Sequence, residues 1–384
     1  MSENSVVFIR KGDDLNEAAN KCLDELEEIV RQGDFVVVKP NLTGGGSADS
    51  GATVHPKLLE VVLSMLRKLK PRRILVAEDA GWLLNNEQIF KKLNIDSVCK
   101  KAGVELVDLT KGNYSEVRIT NGMLNDSIEI ADLIMECNKL IGLTTLKTHH
   151  QVGITIAMKN MFSNVPKDLK KKFHRGDLGK AVVDINLARK ADFTIVDGLM
   201  GVEGLGPNRG YPVPMNLILG GADPVAVDTV GTKLMGFNPD GVLYLRYAAK
   251  RGLGIDDLKQ IEIDGPAIEN ISKKFKSPLD QVKTRLAGKI DIVCKTECFG
   301  CMGVVATALM LCSRHYEQKL SALFKNLKIY LGKIEKLAPE EKRVATVGNC
   351  AQNCKQQGIF VPGCPPTVSK VMNAILDTQV GEGL

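Results

Sequence analysis

The sequence of 384 residues has no run of about 18 uninterrupted apolar residues, so no membrane span is expected. Its first residues, Met1 to Asp14, are polar and lack the apolar stretch of a secretory signal. No zinc-finger helix, RNP-type strand or long Lys/Arg tract is present, and a formal net charge of +6 is mild for this length. Nucleic acid is therefore not an expected partner. Neither the phosphate-loop pattern nor a dinucleotide fingerprint occurs. Internal repeats and low-complexity tracts are also missing. What is left is a globular chain, 44% hydrophobic and 25% charged, with length for two or three domains and an ordinary core. A thiol-rich chain without a signal is expected in reducing cytosol, where cysteines bind metals or do chemistry.

Cysteine is what the chain has in an unusual arrangement. Of the 10, seven lie from residue 294 onward: Cys294, Cys298, Cys301 and Cys312, then Cys350, Cys354 and Cys364. The core of the pattern reads C-F-G-C, then G-N-C, then V-P-G-C-P-P. Cys298, Cys301, Cys350 and Cys364 are the expected ligand set for one [4Fe–4S] cluster, with Cys294 or Cys354 as possible replacements. Glycines at 300, 348 and 363 let backbone approach inorganic sulfide, and a proline after the last thiolate is a familiar iron–sulfur feature. Zinc is the alternative metal, although only Cys298 and Cys301 form the C-x-x-C pair that closed zinc sites use twice. Cys22, Cys99 and Cys137 stand singly in apolar settings and read as core.

The first 290 residues alternate short apolar runs with helical patterns. Strands are expected at Val6 to Ile9, Phe35 to Val38, Ile74 to Ala77, Val104 to Val107, Leu140 to Leu143, Phe193 to Val196 and Leu217 to Leu219, and helices at Leu15 to Val30 and Leu58 to Leu69. This is an α/β pattern: a mainly parallel sheet covered by helices. Ser115 to Ile130, with the turn Asn121-Gly122, reads as an antiparallel excursion. A boundary falls near 290, separating an α/β domain (1–290) from a Cys-rich cluster-binding domain (291–384). In the latter, apolar residues at helical spacing predict a helix over Tyr316 to Leu337.

Polar residues gather after the strand at Leu140. Lys147, His149, Lys159, Asn160 and His174 fall within 28 residues. Carboxyl ends of parallel strands are where open α/β sheets bind ligands. Lysine can hold an anion or carbonyl oxygen, and histidine can shuttle protons. The expected catalytic set is Lys147, His149, Lys159 and His174. Asn41, Asn160, Asp197, Glu203 and Asp228 are expected to bind cofactor or substrate, an anionic small molecule in a basic cleft. His150 and Lys170 to Lys172 read as solvated surface. The glycine-dense stretch Gly201 to Pro207 is suited to cradling a ligand with backbone N–H groups. Asp223 before Pro224 reads as a helix cap, and His55 before Pro56 as another.

Lys39-Pro40-Asn41-Leu42, Leu146-Lys147-Thr148-His149, Ala157-Met158-Lys159-Asn160-Met161-Phe162 and Asp223-Pro224-Val225-Ala226-Val227-Asp228 resemble domain-of-unknown-function family 362. Members often carry iron–sulfur domains, so the resemblance implies a redox context. The V-P-G-C-P-P segment resembles the cluster-ligating segment of the small subunit of NADH:quinone oxidoreductases. Together these point to a cytoplasmic iron–sulfur oxidoreductase of an oxygen-poor setting, with a redox partner protein possible. Two other classes stand beside it. One is a non-redox racemase or epimerase acting on a hydroxy acid, by distant similarity of arrangement to nickel-pincer lactate racemases. The other is a non-catalytic electron carrier or cluster sensor.

Overall fold

The computed structural model describes residues 5–12, 24–81, 85–316, 320–337 and 343–377. Strands are numbered in chain order: β1 (Ser5–Lys11), β2 (Phe35–Pro40), β3 (Arg73–Glu78), β4 (Glu105–Asp108), β5 (Tyr114–Arg118), β6 (Ser127–Ala131), β7 (Lys139–His149), β8 (Gly153–Thr155), β9 (Phe193–Leu205), β10 (Arg209–Gly221), β11 (Ile261–Asp264), β12 (Asp291–Lys295), β13 (Leu327–Gly332), β14 (Arg343–Val347) and β15 (Ile359–Val361).

Nine strands form the main sheet, in the order β11-β1-β10-β9-β7-β2-β3-β4, with β8 hooked onto β7. The half from β9 through β7, β2 and β3 to β4 is parallel, as is β1 with β11; β10 runs antiparallel to β1 and β9. The apolar runs of β2 and β7 are buried on both faces because helices cover the sheet on both sides. Pro56–Lys68 packs Leu58, Leu59, Val62, Leu63 and Leu66 on one face. Leu178–Ala188 and Pro224–Leu234 bury their apolar residues in the larger core on the other. The excursion over Ser115 to Ile130 is the antiparallel pair β5–β6.

A second sheet, all parallel, has the order β12-β13-β14-β15. The helix expected over Tyr316 to Leu337 is not formed as such. Leu320–Phe324 is helical, Asn326 takes φ +58°, and the chain then enters β13, an inner strand of this sheet. The turn ends the helix, and Ile329, Tyr330 and Leu331 are better buried in a sheet than along one helical stripe. The apolar run at Ile290 to Val293 belongs to this sheet too, as its first strand. Cys22 and the start of the expected helix Leu15 to Val30 lie outside the described residues.

The two sheets meet where helix Phe299–His315 crosses the turn between β7 and β8. A methyl group on Gly303 would sit 2.6 Å from His150 O and 2.7 Å from Gln151 O, and one on Gly153 (φ +93°) would sit 2.4 Å from the Phe299 ring. Phe299 also meets Phe237 edge-on at 4.9 Å. Backbone thus lies on backbone, with no side chain between them. Gly303→Val should strain this contact by about 1–3 kcal/mol. A drop in the thermal midpoint, with faster proteolysis between residues 285 and 300, is the expected result.

Candidate functional site

β7 extends past its expected end, and its polar residues there, except Thr145 Oγ1, which finds no partner among the described residues, are bonded inside the protein. Thr144 Oγ1 donates to Ile156 O (3.1 Å), and Thr148 Oγ1 to Val202 O (3.1 Å) and Gly204 O (2.8 Å). Strand alternation puts Lys147 and His149 on the face opposite Thr148. The tight pairing of β7 with β8 turns the chain at His149 to Gly153 and delivers Lys159 and Asn160 on the short helix Ala157–Asn160. Asp228 holds that helix in place. Its carboxylate accepts from Ala157 N (2.6 Å), Met158 N (3.3 Å) and Tyr244 OH (2.9 Å).

The result is a cleft of about 710 Å³ at the carboxyl ends of β2, β3 and β7. His149, Lys159 and His174 line it, with Asn41 and Asn160. Lys147 lies one layer beneath. It is 0% exposed, and its ammonium donates to Asn41 Oδ1 and to Ala52 O (2.7 Å). Asn41 Nδ2 in turn donates to Asn160 Oδ1 (3.2 Å), and Asn160 Nδ2 is spent on Lys39 O and Leu143 O.

Three further expectations need correction. Asp228 is the buried cap just described and does not face the cleft. Glu203 is turned away, accepting from Lys276 N (2.8 Å). Asp197 lies below the floor, where it accepts from His55 N (2.7 Å) and Leu199 N (3.1 Å). The glycine stretch Gly201 to Pro207 is mostly strand, so its N–H groups are largely engaged in β9 pairing; only Pro207 and Asn208 at the hairpin tip reach the cleft. The caps at His55 and Asp223 form as expected.

Sequence reasoning also missed part of the cleft. Glu78 and Asp79 end β3 and face it, as the carboxyl-end rule already used for β7 would have indicated. Glu78 pairs with Lys39 (2.5 Å), and Asp79 with Lys170; both pairs are buried. Lys170 is therefore not solvated surface, because helix Lys167–Arg175 turns it inward while Lys171 and Lys172 remain exposed. His150 is not solvated either. It lines the cleft, stacks on His149 at 4.8 Å, and its Nδ1–H donates to Gly206 O (3.1 Å).

Burial dominates the electrostatics. It pushes Lys147 down to about 7, helped by the charge of Lys159 and opposed by Glu78 and Asp197. Lys159 is likewise lowered to about 7, by burial and then by Lys170. Its Nζ sits over the Phe162 ring at 4.6 Å, and among the described residues it has no carboxylate partner. Burial, then Lys159, holds His174 at about 4 and His149 well below its ordinary value, so both rings are neutral at pH 7. Their tautomers are complementary. His149 Nδ1 accepts from Gln151 N (3.2 Å), leaving the proton on Nε2; His174 Nδ1–H donates to Lys170 O (2.8 Å), leaving the lone pair on Nε2.

The thiols collect at the carboxyl edge of the second sheet. Cys298 and Cys301 follow β12, Cys350 follows β14 and Cys364 follows β15. The loops after β14 and β15 are laced together by Asn349 N to Gly363 O (3.0 Å) and Gly363 N to Asn349 Oδ1 (2.8 Å). Gly348 has φ +91°, and a methyl there would lie 2.6 Å from Cys301 Sγ. Burial raises the Cys298 thiol against the opposing N–H groups of Gly300 and Cys301, with smaller additions from Cys364 and Cys350; Cys301 rises to about 12 from burial and then from Cys298, Cys364 and Cys350. Thiols that repel one another's ionised forms fit a cationic centre, which reverses the sign of that interaction. No described cysteine is in a disulfide, and among the described residues no three His, Cys, Asp or Glu side chains close into a single-ion cage. Cys312 is fully buried in its helix, and Cys354 in a separate small core where it faces Ile334 O (3.6 Å). Cys294 turns to Thr296 O (3.4 Å). Cys99 and Cys137 are core, as expected.

The fold and its two sites define an α/β protein with a buried cationic cleft beside a thiol-bearing parallel sheet. The chain belongs to DUF362, a family described as a domain of unknown function, whose model matches residues 36–233. It is similar to the Thylakoid-associated protein sll1697 of Synechocystis, with 25% identity over 251 residues, 61% of this chain and 72% of that protein. Among solved structures it matches the lactate racemase apoprotein of Thermoanaerobacterium thermosaccharolyticum (TM-score 0.40, 12% identity), covering 60% of this chain and 57% of that one. A Thermotoga maritima protein matches with TM-score 0.33 and 12% identity over 92% of this chain and 93% of its own. Such scores bear no argument about chemistry. No helix among the described residues is long and apolar enough to cross a membrane.

The buried pair predicts its own test. Asp79→Asn would leave Lys170 buried without its carboxylate, at a cost of about 3–5 kcal/mol, read as a lower denaturation midpoint. Burial raises the Asp79 carboxyl, but Lys170, the Gly81 N–H and Asn86 outweigh it and hold it below its ordinary value. Its contribution is thus present above the unfolded value of about 3.9 and is lost as pH falls through the lower folded value. The native protein should lose stability on acidification through this window, and Asp79→Asn should flatten that slope.

Proposed function

We propose that this chain is a cytoplasmic iron–sulfur oxidoreductase that acts on a small anion held in the cleft. The observation behind it is the convergence of Cys298, Cys301, Cys350 and Cys364 at one sheet edge. The donor set fits a [4Fe–4S] cluster: four thiols, each one or two residues from a glycine or proline, with a single C-x-x-C pair where closed zinc sites commonly use two. When bound, such a cluster supplies one-electron transfer, at potentials spanning roughly −700 to +450 mV.

The chain's own residues would do the rest. Lys39 and Lys170 are neutralised by Glu78 and Asp79, so Lys147 and Lys159 carry the uncompensated charge. A carboxylate seated against Lys159 completes that balance. His149 Nε2–H can donate a hydrogen bond to the anion, and His174 Nε2 can take a proton and return it. The same pair supports a second reading, proton transfer at a hydroxy-acid carbon without redox chemistry. Intact iron with no change of oxidation state during turnover would favour that reading.

Anaerobically isolated protein should contain about four irons and four sulfides per chain, as one such cluster requires. Cys298→Ser, Cys350→Ser and Cys364→Ser should each remove most of the iron, while Cys312→Ala retains it. Full zinc occupancy with no iron would sink the reading. In the cleft, the Lys159 ammonium is present below about 7 and lost above it. Oxalate affinity, measured by calorimetry, should therefore fall by up to tenfold per unit above pH 7, and Lys159→Met should weaken binding at pH 6 and reduce that dependence to what Lys147, one layer beneath, contributes.

A further inference from the structure

A second cavity, of about 590 Å³, lies between the α/β body and the thiol-bearing unit. Its chemistry is unlike that of the cleft. Leu178, Leu243, Val304 and Met372 give it an apolar body, and Tyr244 and Tyr247 add two rings from one short helix, Leu243–Ala249. Tyr244 is 1% exposed, with its hydroxyl committed to Asp228 (2.9 Å), so it backs the wall from the core and Tyr247 supplies the accessible ring. Gly300, Pro365 and Pro366 form the wall on the cysteine side. Tyr247 lies within electrostatic reach of Cys364 and Cys298.

Gln151 and His174 border both cavities. Gln151 Nε2 donates to His174 O (3.0 Å), and this bond is part of the partition between them. Gln151 Oε1 is buried and finds no partner among the described residues.

We propose that this cavity is a second small-molecule site, taking an aromatic ligand of two or three fused rings with a polar edge. Its volume falls within the roughly 300–1,000 Å³ of ligand pockets, and apolar walls with a few polar groups are the usual composition of such sites. The Tyr247 ring and the face of Pro365 offer stacking surfaces to a flat ligand. Arg175, Asp177, Thr367 and Ser369 supply the polar groups for its edge. The lining lacks the uncompensated lysines that suit the cleft to an anion. The inference concerns binding, and it stands whether or not the cysteines hold iron.

Lumiflavin is a suitable probe: it is tricyclic, uncharged near neutral pH, and its fluorescence is quenched by nearby tyrosine. Titrated into the full chain isolated anaerobically, it should show saturable quenching. Ser369→Trp, at an exposed position of the lining, and Leu311→Trp, which fills the interior, should each raise the half-saturating concentration at least tenfold. Lys159→Met and excess oxalate should change it less than twofold. No saturable quenching in the native protein would overturn the proposal. So would a half-saturating concentration unchanged by Ser369→Trp, or displacement of lumiflavin by oxalate. Because Ser369 is exposed, that variant keeps the test decisive even if Leu311→Trp fails to fold. Iron is assayed on the same samples, so lumiflavin binding without iron would count against the redox reading alone.

Discussion

Everything chemical about this fold depends on one close approach, the crossing of helix Phe299–His315 over the turn at His149 to Gly153. Gly303 rests against the carbonyls of His150 and Gln151, and Gly153 against the Phe299 ring. Cys298 caps the same helix and Cys301 lies in its first turn. One rigid element therefore fixes the thiols relative to the histidines. The spacing is set by backbone contact and does not depend on long side chains, which would add rotamer freedom. A side chain larger than hydrogen at either glycine would move the thiol edge away from the cleft wall. A wider separation would weaken any electronic coupling between the two sites.

The second constraint is electrostatic. Four lysines, Lys39, Lys147, Lys159 and Lys170, approach one cleft, and each ammonium taken from water costs several kcal/mol unless compensated. Two are answered by Glu78 and Asp79. Lys147 has only the neutral oxygens of Asn41 and Ala52. Lys159 has the face of Phe162, an interaction worth about 2 kcal/mol when desolvated. Those partners do not restore full solvation, and both amines consequently fall to about 7. Such a cleft is unfavourable when empty and charged. It can release protons or admit an anion, and those alternatives link ligand affinity to pH.

Much of the architecture was legible in the sequence, because apolar runs of β2, β3 and β7 alternate with helices that show a single buried face. The reading of β7 stopped at Leu143 since Thr144 to His149 are polar apart from Leu146. The sheet carries them inside by bonding Thr144 and Thr148 to neighbouring carbonyls, a tertiary effect with no local pattern. β13 was read as helix because Leu327, Leu331 and Ile334 also fit a helical stripe; the turn at Asn326 decides the matter. Lys147, His149, Lys159 and His174 were chosen for their type and spacing, and the fold gathers them at the cleft, with Lys147 beneath its wall. Asp228 was chosen on the same grounds, but three donors make it a helix anchor. Lys170 escaped notice because a lysine run looks solvated until its helix is docked and one member turns inward to Asp79.

The distribution of cysteines has a topological explanation. In a parallel sheet every strand delivers its carboxyl end to the same edge, so residues far apart in sequence become neighbours there. Cys298 and Cys301, Cys350, and Cys364 follow three strands of one such sheet, and the intervening sequence is the crossover that parallel connection requires. A closed zinc site is commonly built from two local C-x-x-C pairs; here there is one pair and two single contributions. Thiolates brought from separate loops can stand further apart than ligands of one ion, and they can enclose a larger group. The glycines answer the same geometry, since Gly348 leaves room for Cys301 where a methyl would collide with its sulfur. The parallel topology thus gathers thiols from three separate loops at one edge, and the helix that begins at Cys298 packs that edge against the β7–β8 turn.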